Sequence, residues 1–253
     1  LAQHSVSLGS TLAEEEAVGR ALYRTGRFAD AIAQWQRIAD AHAVDQNALG
    51  QAGALSNLSL SNQQLGQREQ ASSAIRQGLS LIPAGPNNGQ MSEARARVLA
   101  RSLMTQGRLQ PSLGQLETAL ITWHHVAEAY QHCHFSLFYQ RSQLNQAQAL
   151  RELGFYRQAL EKVTAVTVAL AAEPASALKA IALRRVGEAL RLSGQLSAAQ
   201  TSLDQSLDVA TQINDPTQIS ATLLSLGHTA QRQGDMAQAQ RFNQRSRTAI
   251  NQT

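Results

Sequence analysis

The chain is poor in aromatic residues and nearly free of lysine. Aromatic residues make up 4% of its 253 residues, whereas hydrophobic residues make up 43%. A core must therefore be built from Ala, Leu, Ile and Val, in a sequence otherwise rich in Gln, Arg and Ser. Small aliphatic side chains among good helix formers suit helices that pack closely together. The composition favours an all-α fold over a β-sandwich or β-barrel.

Cysteine and long apolar runs are also scarce. Cys133 is the single cysteine, which excludes an internal disulfide and leaves the cellular compartment undecided. No apolar run approaches the roughly 18 residues of a membrane span, so no membrane association is expected. The sequence begins Leu1-Ala2-Gln3, and an Ala before Gln resembles the small-residue end of a signal peptide. Both a cytoplasmic location and export with loss of a leader stay open.

Sequence signatures of common enzymes are missing as well. The chain contains no GxxxxGK[ST], GxGxxG after a strand, GxSxG or HExxH motif. Cys133 has histidine on both sides, but a catalytic pair needs its side chains brought together in a cleft, which adjacency in sequence does not provide. We therefore expect no enzyme and no cofactor.

Six glycines recur in similar settings, at spacings of 40, 41, 47, 40 and 40 residues. Each has a small residue seven positions before it, and all but one of the repeats carry alanine five positions after it. Small residues at fixed offsets let two antiparallel helices approach closely, and glycine readily adopts the positive φ that ends the first helix. The predicted turn glycines are Gly26, Gly66, Gly107, Gly154, Gly194 and Gly234.

This pattern resembles the tetratricopeptide repeat (TPR), and the resemblance covers almost the whole chain. It implies an all-α, right-handed superhelical solenoid of about six antiparallel helix pairs, with more than about 70% helix and with first helices lining a concave groove. One solenoid is expected over residues 1–253. The repeat units are predicted at approximately 11–45, 50–82, 91–130, 137–172, 175–212 and 216–250.

The second copy, ALSNLSLSNQQLGQ at 54–67, has a narrower resemblance. It is similar to the TPR arrays that precede CHAT (caspase-like) domains in photosynthetic bacteria. This implies that the chain is part of a larger protein whose catalytic residues lie elsewhere.

Alanines and prolines give further expectations about packing. Ala159 and Ala199 should be buried between paired helices. Pro111 is expected to open the second helix of the third unit, and Pro216 should follow Asp215 as an N-cap and first-turn pair. No proline is expected in a helix interior, where it would cost roughly 3 kcal/mol.

The first helices carry more arginine than acid on their predicted inner face. Positions ten, six, three and two before the turn glycine share one face by helical spacing. Acids at these offsets are Glu16, Glu152 and Glu188. Because the guanidinium group of arginine binds carboxylates through two parallel hydrogen bonds, this face is predicted to bind an acidic or extended peptide segment. The residues proposed to bind the partner are Arg20, Arg24, Arg97, Arg101, Asn145, Arg151, Arg184, Arg185 and Arg191.

One alternative to this peptide-binding groove stays open. The arginines could simply be solvated charges on a structural spacer or oligomerisation array that has no ligand in its groove. Nucleic-acid binding is not expected, because aromatic residues do not alternate with the basic ones along the inner face.

A subset of these residues resembles the carboxylate clamp by which some TPR domains bind a peptide C-terminus. Arg97, Asn145 and Arg185 fall at three of the five clamp offsets. Arg101 and Ile181 replace the expected Asn and Lys.

The segment 123–139 contains a possible metal-binding group. His124, Glu128 and His132 are spaced four apart, next to Cys133 and His134, and all are residue types that bind Zn²⁺. The spacing matches no established zinc signature, so we expect no metal. The alternative is an aromatic joint formed by Trp123, Tyr130, Phe135, Phe138 and Tyr139.

Overall fold

A computed structural model describes residues 2–82, 92–132 and 136–250. These residues are 85% helical and contain no strand, which confirms the all-α prediction and the expected helix content. The twelve helices of the described ranges are α1 (Ala2–Arg24), α2 (Phe28–Val44), α3 (Ala48–Gln64), α4 (Arg68–Ser80), α5 (Glu93–Ser112), α6 (Leu116–His132), α7 (Ser136–Glu152), α8 (Tyr156–Ala169), α9 (Ala177–Leu192), α10 (Leu196–Gln212), α11 (Pro216–Gln233) and α12 (Met236–Ile250). Among these residues, no helix is long and apolar enough to span a membrane.

The chain folds as two compact units, Leu1–Tyr139 and Gln140–Thr253. The first holds α1 to α6, the second holds α8 to α12, and α7 runs through the boundary. The expectation of a single right-handed solenoid over 1–253, with the repeat bounds given above, stays a prediction.

Local sequence signals explain where the helices begin and end. Asn47, Ser92, Ser176 and Asp215 are N-caps, each accepting a hydrogen bond from a backbone N–H of the first helical turn. Pro216 follows Asp215 in the first turn of α11, as predicted. Glycine in the left-handed region ends the first helix of each pair, as at Gly234 with φ 87°.

The third repeat corrects the predicted register. Its turn glycine is Gly114, with φ 74°, and not Gly107. Gly107 lies inside α5 and is buried. Pro111 consequently does not open a second helix: it lies in the last turn of α5. The expectation that no proline enters a helix was therefore wrong for Pro111, which sits one residue before the last of that helix. Its missing N–H removes one bond of the helix, to the carbonyl four residues earlier.

With Gly114 as the turn, all the repeats share the same packing positions. The position five after the turn glycine is alanine in every copy, at Ala31, Ala71, Ala119, Ala159, Ala199 and Ala239, and all six are buried. This confirms the predicted burial of Ala159 and Ala199. The position seven before the glycine is Gly19, Ser59, Gly107, Ala147, Gly187 or Gly227.

These two positions meet where the paired helices approach most closely. A Cβ added at Gly187 would lie 3.0 Å from the backbone oxygen of Ala199. In the second repeat the small residue is Ser59, and its hydroxyl donates a hydrogen bond of 2.8 Å to the backbone oxygen of Ala71. A larger side chain at either position would push the two helices apart.

The core of each unit forms around these contacts. In the first unit, Trp35 packs with Ile38, Leu55 and Leu58 in one cluster, and Trp123 packs with Val126 and Tyr130 in another. In the second unit, one cluster joins α7, α8 and α9 through Leu144, Val163 and Ala182. Another joins α10 and α11 through Leu203, Leu223 and Leu226.

The corrected register predicts that Gly107→Ala destabilises the protein. A Cβ at this position would lie 2.8 Å from the indole ring of Trp123, and such overpacking typically costs about 1–3 kcal/mol. Helix propensity alone predicts that this substitution raises the free energy of unfolding, because alanine stabilises a helix interior by about 0.5–1 kcal/mol relative to glycine. Urea unfolding followed by circular dichroism measures the difference.

Gly53→Ala is the matched control. Gly53 also lies inside a helix, α3, but a Cβ there would meet nothing within 4 Å. This variant should gain stability from propensity. If Gly107→Ala gains as much stability as the control, Gly107 and Trp123 do not approach each other closely.

Candidate protein-interaction surface

In the first unit, the predicted partner-binding arginines are exposed at the surface. Arg20 and Arg24 lie one turn apart near the end of α1, and Arg97 and Arg101 lie one turn apart on α5. Arg20 forms an ion pair of 3.0 Å with Glu16, in which both side chains are at least one-third exposed. Arg97 pairs with Glu93 in the same way along α5. Exposed pairs of this kind contribute about 0–1 kcal/mol, so a ligand carboxylate can replace the partner.

The register correction changes how the arginines of α5 relate to the repeat. Arg97 and Arg101 lie 17 and 13 residues before Gly114, not ten and six before a turn. Arg108 is the residue six before the turn, and it is exposed. Spacings of four and seven residues place Arg97, Arg101 and Arg108 on one face of α5. These three arginines therefore extend over about three turns of α5.

In the second unit, three first helices meet around the carboxylate of Glu188. Arg184 Nη1 donates to Glu188 Oε1 at 2.6 Å, and Arg151 Nη1 donates to Glu188 Oε2 at 3.2 Å. The Ser225 hydroxyl also donates to Oε1, at 2.9 Å. The side chain of Glu188 is only 13% exposed. One carboxylate thus ties α7, α9 and α11 together.

A second chain of hydrogen bonds runs beside this carboxylate. Arg185 Nη2 donates to Gln148 Oε1 at 2.6 Å, and Gln148 Nε2 donates to Glu152 Oε1 at 2.9 Å. Several donors next to these bonds are buried without a hydrogen-bond partner among the described residues: Asn145 Nδ2 and the Nε atoms of Arg184, Arg185 and Arg191. The wall formed by α7 and α9 is therefore richer in donors than in acceptors.

The charges of this cluster shift the pKa values of its members. Burial alone would raise the pKa of Glu188, but Arg184, Arg185 and the Ser225 hydroxyl outweigh it, so the pKa is lowered. Burial lowers the pKa of Arg185, and the repulsion of Arg184 and Arg151 acts in the same direction. Arginine nevertheless stays protonated at neutral pH. Glu188 is therefore ionised and surrounded by cations.

Two features of the structure bear on the predicted site. Arg184, one of the residues predicted to bind the partner, has a side chain that is only 17% exposed and is paired with Glu188. The resemblance to a carboxylate clamp also loses support. It placed Arg97 at a clamp offset counted from Gly107, and the turn is at Gly114. Asn145 and Arg185 keep their offsets from Gly154 and Gly194.

The segment 123–139 contains the predicted aromatic joint. Trp123 and Tyr130 are buried in one cluster, and Tyr139 packs against it. Phe138 stacks on Tyr130 with ring centroids 5.0 Å apart. Phe135 lies outside the described residues. Trp123 also has a second role that the sequence reading missed, since it packs on Gly107 as Trp35 packs on Gly19.

The possible metal ligands in this segment are only partly described. His124 Nε2 lies 3.5 Å from Glu128 Oε1, and both side chains are more than half exposed. The side chain of His132 and all of Cys133 and His134 lie outside the described residues. Elsewhere in the described chain, no group of three or more His, Cys, Asp or Glu is placed to hold a metal ion. The expectation of no bound metal stays a prediction, which elemental analysis of chelator-free protein can test.

Comparison with known proteins places this geometry in a familiar fold. The sequence profile of the tetratricopeptide repeat matches residues 178–252. The structure is similar to that of BtubC (BKLC) from P. vanneervenii, with a TM-score of 0.71 and 16% identity over 88% of this chain and 91% of that one. It is also similar to PilW, a widely conserved type IV pilus biogenesis factor, with a TM-score of 0.66 and 16% identity over 96% and 95% of the two chains.

A third similar structure is that of a Rap protein complexed with competence and sporulation factor. Its TM-score is 0.65 at 13% identity, over 96% of this chain and 66% of that one. Comparison with curated proteins gives no match. Residues 178–252 therefore belong to the tetratricopeptide repeat family, and the described chain as a whole has the tetratricopeptide fold. This fold generally serves as a non-catalytic scaffold for protein interactions. The narrower resemblance to arrays before CHAT domains is not shown by these comparisons.

The Glu188 cluster predicts a pH-dependent loss of stability. Glu188→Gln leaves Arg151 and Arg184 without their carboxylate, and removing one member of a buried pair typically costs about 3–5 kcal/mol. Because the pKa of Glu188 is lowered in the folded state, its stabilising effect is complete above the unfolded pKa of about 4.3 and is lost as the pH falls through the folded pKa. Urea unfolding should therefore show a large deficit at neutral pH that narrows below about pH 4.

Glu161→Gln is the control for this prediction. Glu161 pairs with Arg157 at 3.6 Å, but the two side chains are 68% and 92% exposed, so its loss should change stability little. Equal effects of the two substitutions at neutral pH would contradict the buried cluster.

Proposed function

We propose that this chain is a scaffold that binds an acidic, extended segment of a partner protein on the basic surface of its first helices. The observation that supports it most is the excess of arginine over acid on those helices within each unit. In the first unit, α1, α3 and α5 carry six basic residues, Arg20, Arg24, Arg95, Arg97, Arg101 and Arg108, against four acids, Glu14, Glu15, Glu16 and Glu93. In the second, α7, α9 and α11 carry Arg141, Arg151, Lys179, Arg184, Arg185, Arg191 and Arg232, against Glu152 and Glu188.

The arginines would act in two ways. The exposed guanidiniums of Arg20, Arg24, Arg97 and Arg101 would contact ligand carboxylates directly, with the bidentate geometry that arginine favours. The arginines around Glu188 would contribute mainly through their positive electrostatic potential, since Arg151 and Arg184 already bind a carboxylate. Asn145 Nδ2 and Arg191 Nε are buried atoms, so these two residues would contact a ligand only through other atoms of their side chains.

The structural comparisons agree with binding as the general task. One similar structure is a Rap protein in complex with competence and sporulation factor. The likeness concerns the fold, so the acidity of the segment proposed here depends on the arginines of this chain. Partner identity is open, and no cofactor is part of the proposal.

A structural spacer is the second candidate function. The pairing of Arg151 and Arg184 with Glu188 favours it, because it gives these arginines a role in holding adjacent repeats together. The two candidates differ in the first unit. A spacer does not require the exposed arginines of α1 and α5, whereas a surface that binds an acidic peptide does.

Charge reversal on α5 tests the proposal. The probe is a fluorescein-labelled, end-blocked peptide of alternating Glu and Ser, compared with one of alternating Lys and Ser. The double variant Arg97→Glu and Arg101→Glu should weaken binding of the acidic peptide at least about tenfold, because each charged contact contributes about 1.5–3 kcal/mol. Fluorescence anisotropy gives the affinity, which should also fall as salt is added.

The control is the double reversal of Arg68 and Arg76, two exposed arginines on the second helix α4. It changes the net charge equally, so an unspecific charge effect would weaken binding to the same extent. If the control loses as much affinity as the α5 variant, or if the acidic peptide binds no better than the basic one, the spacer function replaces the proposal.

A further inference from the structure

A cleft between α1 and α3 in the first unit combines an apolar interior with a polar rim. Its lining residues are Arg20, Tyr23, Arg24, Trp35, Asn57 and Leu60. Trp35 is 2% exposed and belongs to the core cluster, so it forms a fixed floor. Tyr23 packs edge-on against Phe28 with ring centroids 5.4 Å apart, which holds one wall in place. Leu60 of α3 is half-buried on the opposite side.

The rim of the cleft supplies donors and positive charge. Arg20 and Arg24 lie one helical turn apart on α1. Glu16 is the carboxylate beside them, in an exposed pair with Arg20 that a ligand can displace. In the part of the chain that the structure describes, no ion pair involves Arg24 and no hydrogen bond uses the side-chain amide of Asn57. An amide of this kind can both donate to and accept from a peptide backbone.

The Glu188 cluster offers no comparable opening. There the arginines are largely buried and one carboxylate is already bound. In the cleft, the apolar surface is accessible and the guanidiniums stand at its edge. A purely apolar ligand would leave these cations unused, and a purely acidic one would leave Tyr23 and Leu60 uncovered.

We infer that this cleft binds a large apolar side chain of an extended segment in which a carboxylate lies one or two residues away. The apolar side chain packs on Trp35, Tyr23 and Leu60. The carboxylate is bound by Arg20 or Arg24, and Asn57 hydrogen-bonds the segment's backbone. This inference rests on the proposed function and adds to it an anchor position, because charge alone does not select one register of an acidic segment.

A double-mutant cycle tests the apolar contact. The probes are two end-blocked peptides of alternating Glu and Ser, one with Leu and one with Ala at the central position. Burying the leucine side chain should tighten binding to the wild-type protein by about tenfold or more. Leu60→Ser should remove most of this advantage, because it takes away the surface on which the leucine packs.

Leu224→Ser is the matched control, since Leu224 is a 42% exposed leucine on a first helix outside the cleft. The leucine peptide should keep its advantage in this variant. Circular dichroism of both variants shows whether either substitution disturbs the fold.

The sequence has only two tryptophans. In a Trp123→Phe background, the emission of Trp35 should therefore shift when the leucine peptide binds and not with the alanine peptide.

The outcomes separate this inference from the proposed function. Loss of the leucine advantage in Leu60→Ser alone, together with the shift in Trp35 emission, supports the cleft. If acidic peptides bind but Leu and Ala peptides bind equally, or if Leu60→Ser keeps the leucine advantage, the cleft inference is overturned while the proposed function stands. If replacing Glu by Lys in the leucine peptide leaves its affinity unchanged, both are overturned.

Discussion

The close approach of two helices at a small residue governs this structure. In three of the pairs, the residue seven before the turn glycine lies against the backbone of the alanine five after it, as Ser59 does in bonding to the backbone oxygen of Ala71. In the first and third pairs, the glycine at this position lies against a tryptophan of the second helix. No room for a larger side chain exists at such a contact, and this fixes how each first helix lies on its partner. Once the pairs are fixed, the remaining faces of the first helices are free to carry charge. The packing therefore leaves these faces available, and the sequence alone determines which charges they carry.

The fold class is predictable from the sequence because this packing constraint repeats along the chain. Five of the six turn glycines were assigned correctly, and the fold class followed from them. The third turn was misplaced because Gly107 and Gly114 are seven residues apart, and both are followed by a plausible helix. The alanine five residues after each turn glycine distinguishes the two. The residue five after Gly107 is Ser112, whereas the residue five after Gly114 is the buried Ala119. Trp123 gives the same signal, since it follows Gly114 by nine residues as Trp35 follows Gly26.

The arrangement of the arginines was harder to predict, because helical spacing shows which residues share a face and not which carboxylate they meet. Glu188 pairs with Arg151 and with Ser225, which lie 37 residues before and after it, and Arg185 bonds Gln148 at the same separation. A repeat of 40 residues thus brings a side chain into contact with one 37 positions further along. The burial of Arg184 follows from this contact, and a single helical wheel does not show it. The exposure of the arginines of α1 and α5 depends only on their own helix, and their role in binding a partner stays a prediction.

The central claim is that the first helices form the binding surface and that acidity in the partner is what they bind. Hydrogen exchange followed by mass spectrometry, with and without the peptide of alternating Glu and Ser, tests it most directly. We expect slower exchange of amides in first helices, with α1 and α5 among them, and unchanged exchange in second helices such as α4 and α10. Protection confined to the second helices, or no protection at peptide concentrations that saturate binding, would contradict it.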